Sequence, residues 1–129
     1  MMASFPLLAI IVAVYTLLAL AAPGWLDSVV FALPLLSGAV LPFRGGDLLL
    51  VIGLILLCVE VYRATSSSTG AILNHVLSLV VFIIALIELL VMPRMANMTF
   101  FLIALMTVSD VIAGFTVTIS TARRDMQHP

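Results

Sequence analysis

The chain has 129 residues, of which 64% are hydrophobic and 9% charged, with a mean hydropathy of +1.37; an ordinary soluble domain carries roughly 25% charged residues. Such a chain needs lipid as its solvent, and too few residues remain outside its apolar runs to enclose a second, water-facing core. The net charge is −1, with five arginines and no lysine, which excludes a broad basic surface for nucleic acid.

The first apolar run, Phe5 to Ala22, is 18 residues long and would cover roughly 27 Å as a helix, enough to match a hydrocarbon core. Ala19 and Ala21 before Ala22 also have the spacing of a signal-peptide cleavage site. Yet no Lys or Arg precedes the run, and it exceeds the usual apolar stretch of such a peptide, so a retained span is expected. Pro23-Gly24 ends it, and Trp25 beside Asp27 suits a membrane interface.

Ser28 to Phe43 is apolar but short, with Pro34, Pro42 and a central Ser37-Gly38. A continuous helix through these prolines would leave carbonyls without donors in lipid. The arms Val29-Val30-Phe31 and Ala39 to Phe43 around the Ser-Gly turn predict an amphipathic hairpin lying on the bundle. A re-entrant segment or a fifth span is the alternative.

Gly45-Gly46 reads as a flexible joint and Asp47 as the N-cap of a second span reaching about Ala64. Thr65 to Gly70 reads as a polar turn. The third span follows to Val91 and is closed by Met92-Pro93-Arg94, since a proline disfavours helical geometry at the residue before it. Asn97 or Thr99 caps the fourth, and the tail from Arg123 to Pro129 is expected to fray. The Asn97-Met98-Thr99 sequon, directly beside a span, is read as chance. The predicted fold is an all-α membrane protein in one domain, 1–129. It is a four-transmembrane-helix bundle with spans at about 5–22, 47–64, 70–91 and 99–122, and a Pro/Gly-containing β-hairpin-like or re-entrant segment at 28–43. Arginine placement orients it: Arg63, Arg123 and Arg124 inside, Arg44 and Arg94 outside, and both termini cytoplasmic.

Ionisable groups inside spans cost roughly 2.5–3.5 kcal/mol each on insertion scales, so each asks for a role. Counted from the outer helix ends, Glu60, Ser78 and Asp110 fall roughly 17–20 Å deep and Glu88 roughly 5 Å. Helical phase sets Gly53, Glu60 and Ala64 on one face of the second span, Asn74, Ser78, Ala85 and Glu88 on one face of the third, and Thr107, Asp110, Gly114 and Thr121 on one face of the fourth. Polar residues mixed with small ones mark interior faces. The small-xxx-small steps Ser109/Ala113 and Gly114/Thr118 add to the packing case for the fourth. The candidate cluster is therefore Asp110, Glu60, Ser78, Arg63, Asn74, His75 and Thr107. Arg63 pairs with Glu60 at i, i+3, and Asp110 meets Ser78 and Thr107. Two uses compete: helix-to-helix glue, or exchange of a proton by a carboxyl withdrawn from water.

Glu88 and Arg94 are expected to form an interfacial ion pair. Cys58, alone in an apolar run, reads as a small buried hydrophobe, and the methionines as gap-filling or lipid-facing. His75 lacks further ligands at its depth, so no metal site is expected. No Gly-rich phosphate loop, Ser/His/Asp signature, paired haem histidines or C-x-x-C is present, so neither an enzyme nor a cofactor is expected.

The stretch Phe100-Phe101-Leu102-Ile103-Ala104-Leu105-Met106 and then Asp110 to Val117, ending in Ala122-Arg123-Arg124-Asp125, resembles the C-terminal part of a group of small bacterial inner-membrane proteins. Gly46-Asp47-Leu48-Leu49 is similar too. The resemblance covers about the latter two thirds of the chain and implies four spans and an inner-membrane location. It implies no activity, because none is assigned to the group. Size and span count also resemble small multidrug-resistance transporters, but those carry an essential glutamate in the first helix and Phe5 to Ala22 has no acid. The leading expectation is a non-enzymatic accessory or assembly protein that associates through its helices with its own copies or with other membrane proteins. The alternative is a small proton-coupled transporter or channel subunit using Asp110 and Glu60.

Overall fold

Three 19-residue stretches, Gly45–Arg63, Leu73–Val91 and Met98–Thr116, have mean hydropathies of 2.1, 2.4 and 1.9 and form helices long and apolar enough to cross a membrane. The computed structural model describes residues 6–64 and 69–127. Its order is α1 (Leu8–Ala21), α2 (Pro23–Asp27), β1 (Val29–Pro34), β2 (Val40–Arg44), α3 (Gly45–Ala64), α4 (Thr69–Val91), a 3-10 turn (Pro93–Met95) and α5 (Met98–Gln127). The helix α5 packs most heavily on α4 and α3, and α1 touches all three. The first helix is the short one: 14 described residues, roughly 21 Å.

Most large apolar side chains on α3, α4 and α5 face outward, among them Leu54, Ile55, Ile84, Ile87 and Ile112. Surfaces this apolar belong in lipid. The interior is built from Ile11, Val12 and Tyr15 of α1 against Ala85, Phe100 and Ile103, with the Tyr15 and Phe100 rings 5.2 Å apart. Hydrocarbon is as apolar as leucine, so this packing cannot draw on expulsion of water, and directional contacts decide where helices sit.

Several helix ends differ from the sequence reading, each for a local reason. Asp47 is not the N-cap of α3. The helix starts at Gly45, and the Asp47 carboxylate reaches back from the first turn to accept the Arg44 N–H at 3.0 Å, one half of a capping box. Gly45 and Gly46 are buried helical residues rather than a joint: Trp25 lies where a Gly45 Cβ would stand, and Thr99 Cγ2 would be only 3.1 Å from a Cβ at Gly46. Asn97 does cap α5, its Oδ1 accepting Phe100 N–H at 2.9 Å. The end of α5 is Gln127, five residues beyond the expected 122, so the tail begins as helix. Thr65 to Ser68 of the expected polar turn, and His128-Pro129, lie outside the described residues. Cys58 is exposed on α3, not buried, and Ser109 is exposed too, its hydroxyl donating to Leu105 O at 2.8 Å. Ser109/Ala113 is therefore not a tight packing step.

Residues 28–43 contain neither a re-entrant helix nor a fifth span. They form an antiparallel hairpin with a shift of register between Val29 and Phe31. Nor does it lie on the bundle as an amphipathic cover: nearly every residue of both strands is exposed, and its main contacts beyond itself run from β2 to α2 and α3.

At Gly45 an added Cβ would collide with the Trp25 carbonyl and indole, whereas at Gly24 nothing lies within 4 Å. Gly45→Ala should destabilise the protein in detergent by about 1–3 kcal/mol. Gly24→Ala should change it by less than about 0.5 kcal/mol. Equal unfolding midpoints for the two would contradict the fixed seating of α3 on Trp25.

Candidate functional site: a buried polar cluster where four helices meet

The polar faces predicted on α3, α4 and α5 do converge. Glu60, Asn74, His75, Ser78, Thr107 and Asp110 are all buried, Glu60 and His75 to 1% exposure. The glutamate has the most partners. Its Oε2 accepts Asn74 Nδ2 at 3.1 Å, and its Oε1 accepts Arg63 Nη1 at 3.5 Å, the expected i, i+3 pair. Oε1 also accepts the backbone N–H of Leu7, the residue that opens α1.

That last contact was not expected from the sequence. The helix α1 has no side-chain cap of its own, and its first N–H groups have no acceptors within the helix. A carboxylate there meets both the orphan donors and the positive end of the helix dipole. The opposite end of α1 is matched in sign: Arg94 Nη1 donates to Leu20 O at 3.1 Å and Ala19 O at 3.5 Å. Arg94 is consequently not the partner of Glu88. The Glu88 Oε2 accepts Thr16 Oγ1 at 2.9 Å, and the expected interfacial ion pair does not form. Tyr15 Oη donates to Asn97 Oδ1 at 3.0 Å, so both polar side chains along α1 are engaged by other elements.

Asp110 sits within hydrogen-bonding reach of Ser78, whose hydroxyl donates to Asn74 O at 2.9 Å. Arg63 and Glu60 lie within electrostatic reach of Asp110. The expected bond from Thr107 to Asp110 is replaced by one to Ala104 O at 2.6 Å, the back-bonding open to a hydroxyl inside a helix. His75 stacks obliquely on Phe115, ring centres 5.6 Å apart. It fits because residue 114 is glycine, where a Cβ would strike the imidazole. Gly114 lay on the predicted inner face, but its pairing with His75 could not be read from spacing, since it depends on the relative shift of α4 and α5.

Four polar atoms of this cluster are buried without a protein partner: Asn74 Oδ1, both ring nitrogens of His75 and Asp110 Oδ2. Burying one unpaired polar group costs about 1–3 kcal/mol on mutational scales and more in hydrocarbon. Four in one cluster, next to a glutamate whose two oxygens are both engaged, are polar groups of the kind that buried water commonly satisfies. Among the described residues no group of three or more His, Cys, Asp or Glu is disposed to hold a metal ion.

Three membrane-length apolar helices around a polar interior are the arrangement of a helical membrane protein. No protein-family model, curated protein or solved structure matches the chain.

Glu60→Gln removes the charge and keeps an acceptor for only one of Leu7 N–H and Asn74 Nδ2, the other oxygen position becoming a donor, and should cost about 1–3 kcal/mol. Glu60→Ala strands Leu7 N–H and Asn74 Nδ2 and removes the Arg63 ion pair, and should cost about 3–5 kcal/mol. Unfolding titrations in mixed detergent micelles measure both. An alanine variant as stable as wild type would show that Glu60 pins nothing.

Proposed function

We propose that this chain is a four-span protein of a bacterial inner membrane, with both termini cytoplasmic, in which Asp110, His75 and Glu60 handle protons as part of a small proton-coupled transporter or channel subunit. The observation that carries the reading is the set of four unpartnered polar atoms, on Asn74, His75 and Asp110, enclosed by α3, α4 and α5. Glue between helices uses up its donors and acceptors, whereas a relay keeps some free for the proton that passes. The chemistry has three parts. The Asp110 carboxyl binds and releases a proton. The His75 imidazole, with one nitrogen able to accept and one to donate, passes it on. Glu60, anchored by Leu7, Asn74 and Arg63, keeps the cluster's net charge favourable to a cation. Three membrane-length helices and one short one barely enclose a path, so the working unit on this reading is a homo-oligomer.

A second reading, the non-enzymatic accessory or assembly subunit, is favoured by two apolar grooves on the outer surface. One of about 470 Å³ runs between α1 and α4, past Ala9, Ala13 and Val81 to Glu88. Another of about 400 Å³ lies between α3 and α5, past Leu54, Leu105 and Ser109. Each is a seat for a helix of another membrane protein.

Vesicles loaded with a pH-sensitive dye separate the two. Wild-type protein should dissipate an imposed pH gradient, and Asp110→Asn and His75→Gln should slow this at least about tenfold, equivalent to about 1.4 kcal/mol of barrier, while remaining folded. Flux equal to that of empty vesicles, unchanged by either substitution, would remove the transport reading and leave the accessory one.

A further inference from the structure

No function described so far uses the hairpin β1–β2. From Ser28 through Phe43 it has no charged residue, and its two strands are held to each other by their own contacts. The Phe31 and Phe43 rings stack 4.5 Å apart, nearly parallel. Leu35 N–H donates to Ala39 O at 2.9 Å, and Gly38, at φ 91°, makes the turn that an L side chain would strain. Its root is fixed: Gly45 N–H donates to Ser28 O, Ser28 Oγ to Trp25 O, and Arg44 N–H to Asp47.

Both faces are apolar. Phe31, Leu33 and Leu41 alternate with Ala32, Pro34 and Val40 on the opposite side, and all are exposed; Leu36 at the tip is fully so. The edges are blocked. Because Leu35 and Ala39 form a hydrogen-bonded pair, the alternation of an antiparallel ladder makes Leu33–Leu41 bonded and leaves Pro34–Val40 and Ala32–Pro42 as unbonded pairs. At unbonded positions the backbone nitrogen faces the outer edge, and each strand has a proline there. Each edge thus lacks an N–H that an added strand would use, which disfavours pairing with another chain. A protein docked on one face would leave the other apolar face in water. An apolar medium on both sides covers the whole ribbon.

We infer that the hairpin is a membrane-interface wedge: it lies among the headgroups and the adjoining first acyl-chain segments of the leaflet nearest the α1–α3 connection, with Trp25 at its root. The occupant of both faces is lipid. The prolines serve there too, by removing donors that hydrocarbon would leave unsatisfied. Trp25, 40% exposed beside the root, is the residue type that anchors at that depth. The inference rests on the membrane location proposed above but not on proton handling.

The test uses full-length protein in phosphatidylethanolamine–phosphatidylglycerol vesicles with an environment-sensitive fluorophore on a single cysteine. Native Cys58, exposed on α3, supplies the membrane control. In a Cys58→Ser background, Leu36→Cys reports the tip and Val40→Cys one face. Labels at 36 and 40 should both emit blue-shifted light, resist aqueous iodide and be quenched severalfold more by nitroxides near the headgroup than by nitroxides at the acyl terminus. Free access of iodide at 36 would mean that the hairpin projects into water and would overturn the proposal. Protection at both sites from iodide and from lipid nitroxides would overturn it as well, since a second copy or another protein would then cover the hairpin. A label on Cys58 that no lipid nitroxide reaches would overturn the membrane location itself and the wedge with it.

Discussion

The structure depends on one carboxylate. Glu60 takes the N–H of Leu7 at the start of α1, the amide of Asn74 on α4 and the guanidinium of Arg63 on its own helix, so α1, α3 and α4 are fixed relative to one another at that point. In water a greasy fourteen-residue helix would be held by its apolar stripe. In lipid it gains little from burying leucine, and its exposed ends become the costly parts. The solution here is to supply both end charges from elsewhere in the chain, an anion at the start of α1 and Arg94 at its end. Tyr15 and Thr16 then settle its rotation through Asn97 and Glu88.

Fixing α1 in this way has a consequence for the interior. The acid that is fully paired, Glu60, is the one doing structural service, and the acid beside it, Asp110, retains an oxygen with no protein partner. Two acids within electrostatic reach of each other are thus differently committed: both oxygens of Glu60 are engaged, and one oxygen of Asp110 is not. His75 adds two uncommitted nitrogens, seated by the absence of a side chain at Gly114. The hairpin at the other end of α1 follows the same economy, with polar backbone and side-chain groups engaged at its root and, Ser37 of the turn apart, apolar side chains beyond.

Much of this was legible in the sequence, for reasons specific to each element. The three long helices announce themselves by hydropathy, and proline and glycine placement argues against a helix through 28–43, leaving a fifth span as an alternative that the hairpin replaces. The inner faces of α3, α4 and α5 follow from a 100° step, so Glu60, Asn74, Ser78, Thr107 and Asp110 were all placed inward. Contacts that depend on how one helix is shifted along another were not legible. That is why Glu88 and Arg94 were paired with each other when each in fact serves α1. Thr107 was assigned to Asp110 although its own helix offered a nearer carbonyl. The grip of Glu60 on Leu7 links residues 53 apart through a backbone group that has no signature in a side-chain pattern. Cys58 was read as buried because its neighbours are apolar, yet on a lipid-facing helix an apolar neighbourhood is the outside.

Water-edited solid-state NMR of protein in lipid bilayers, labelled at histidine, aspartate and leucine, asks directly whether the cluster is wet. Polarisation from water should reach His75 and Asp110 well before it reaches the lipid-facing Leu54 of α3, despite the burial of both polar side chains. Build-up at His75 and Asp110 no faster than at Leu54 would mean a dry cluster and would contradict the proton-handling site.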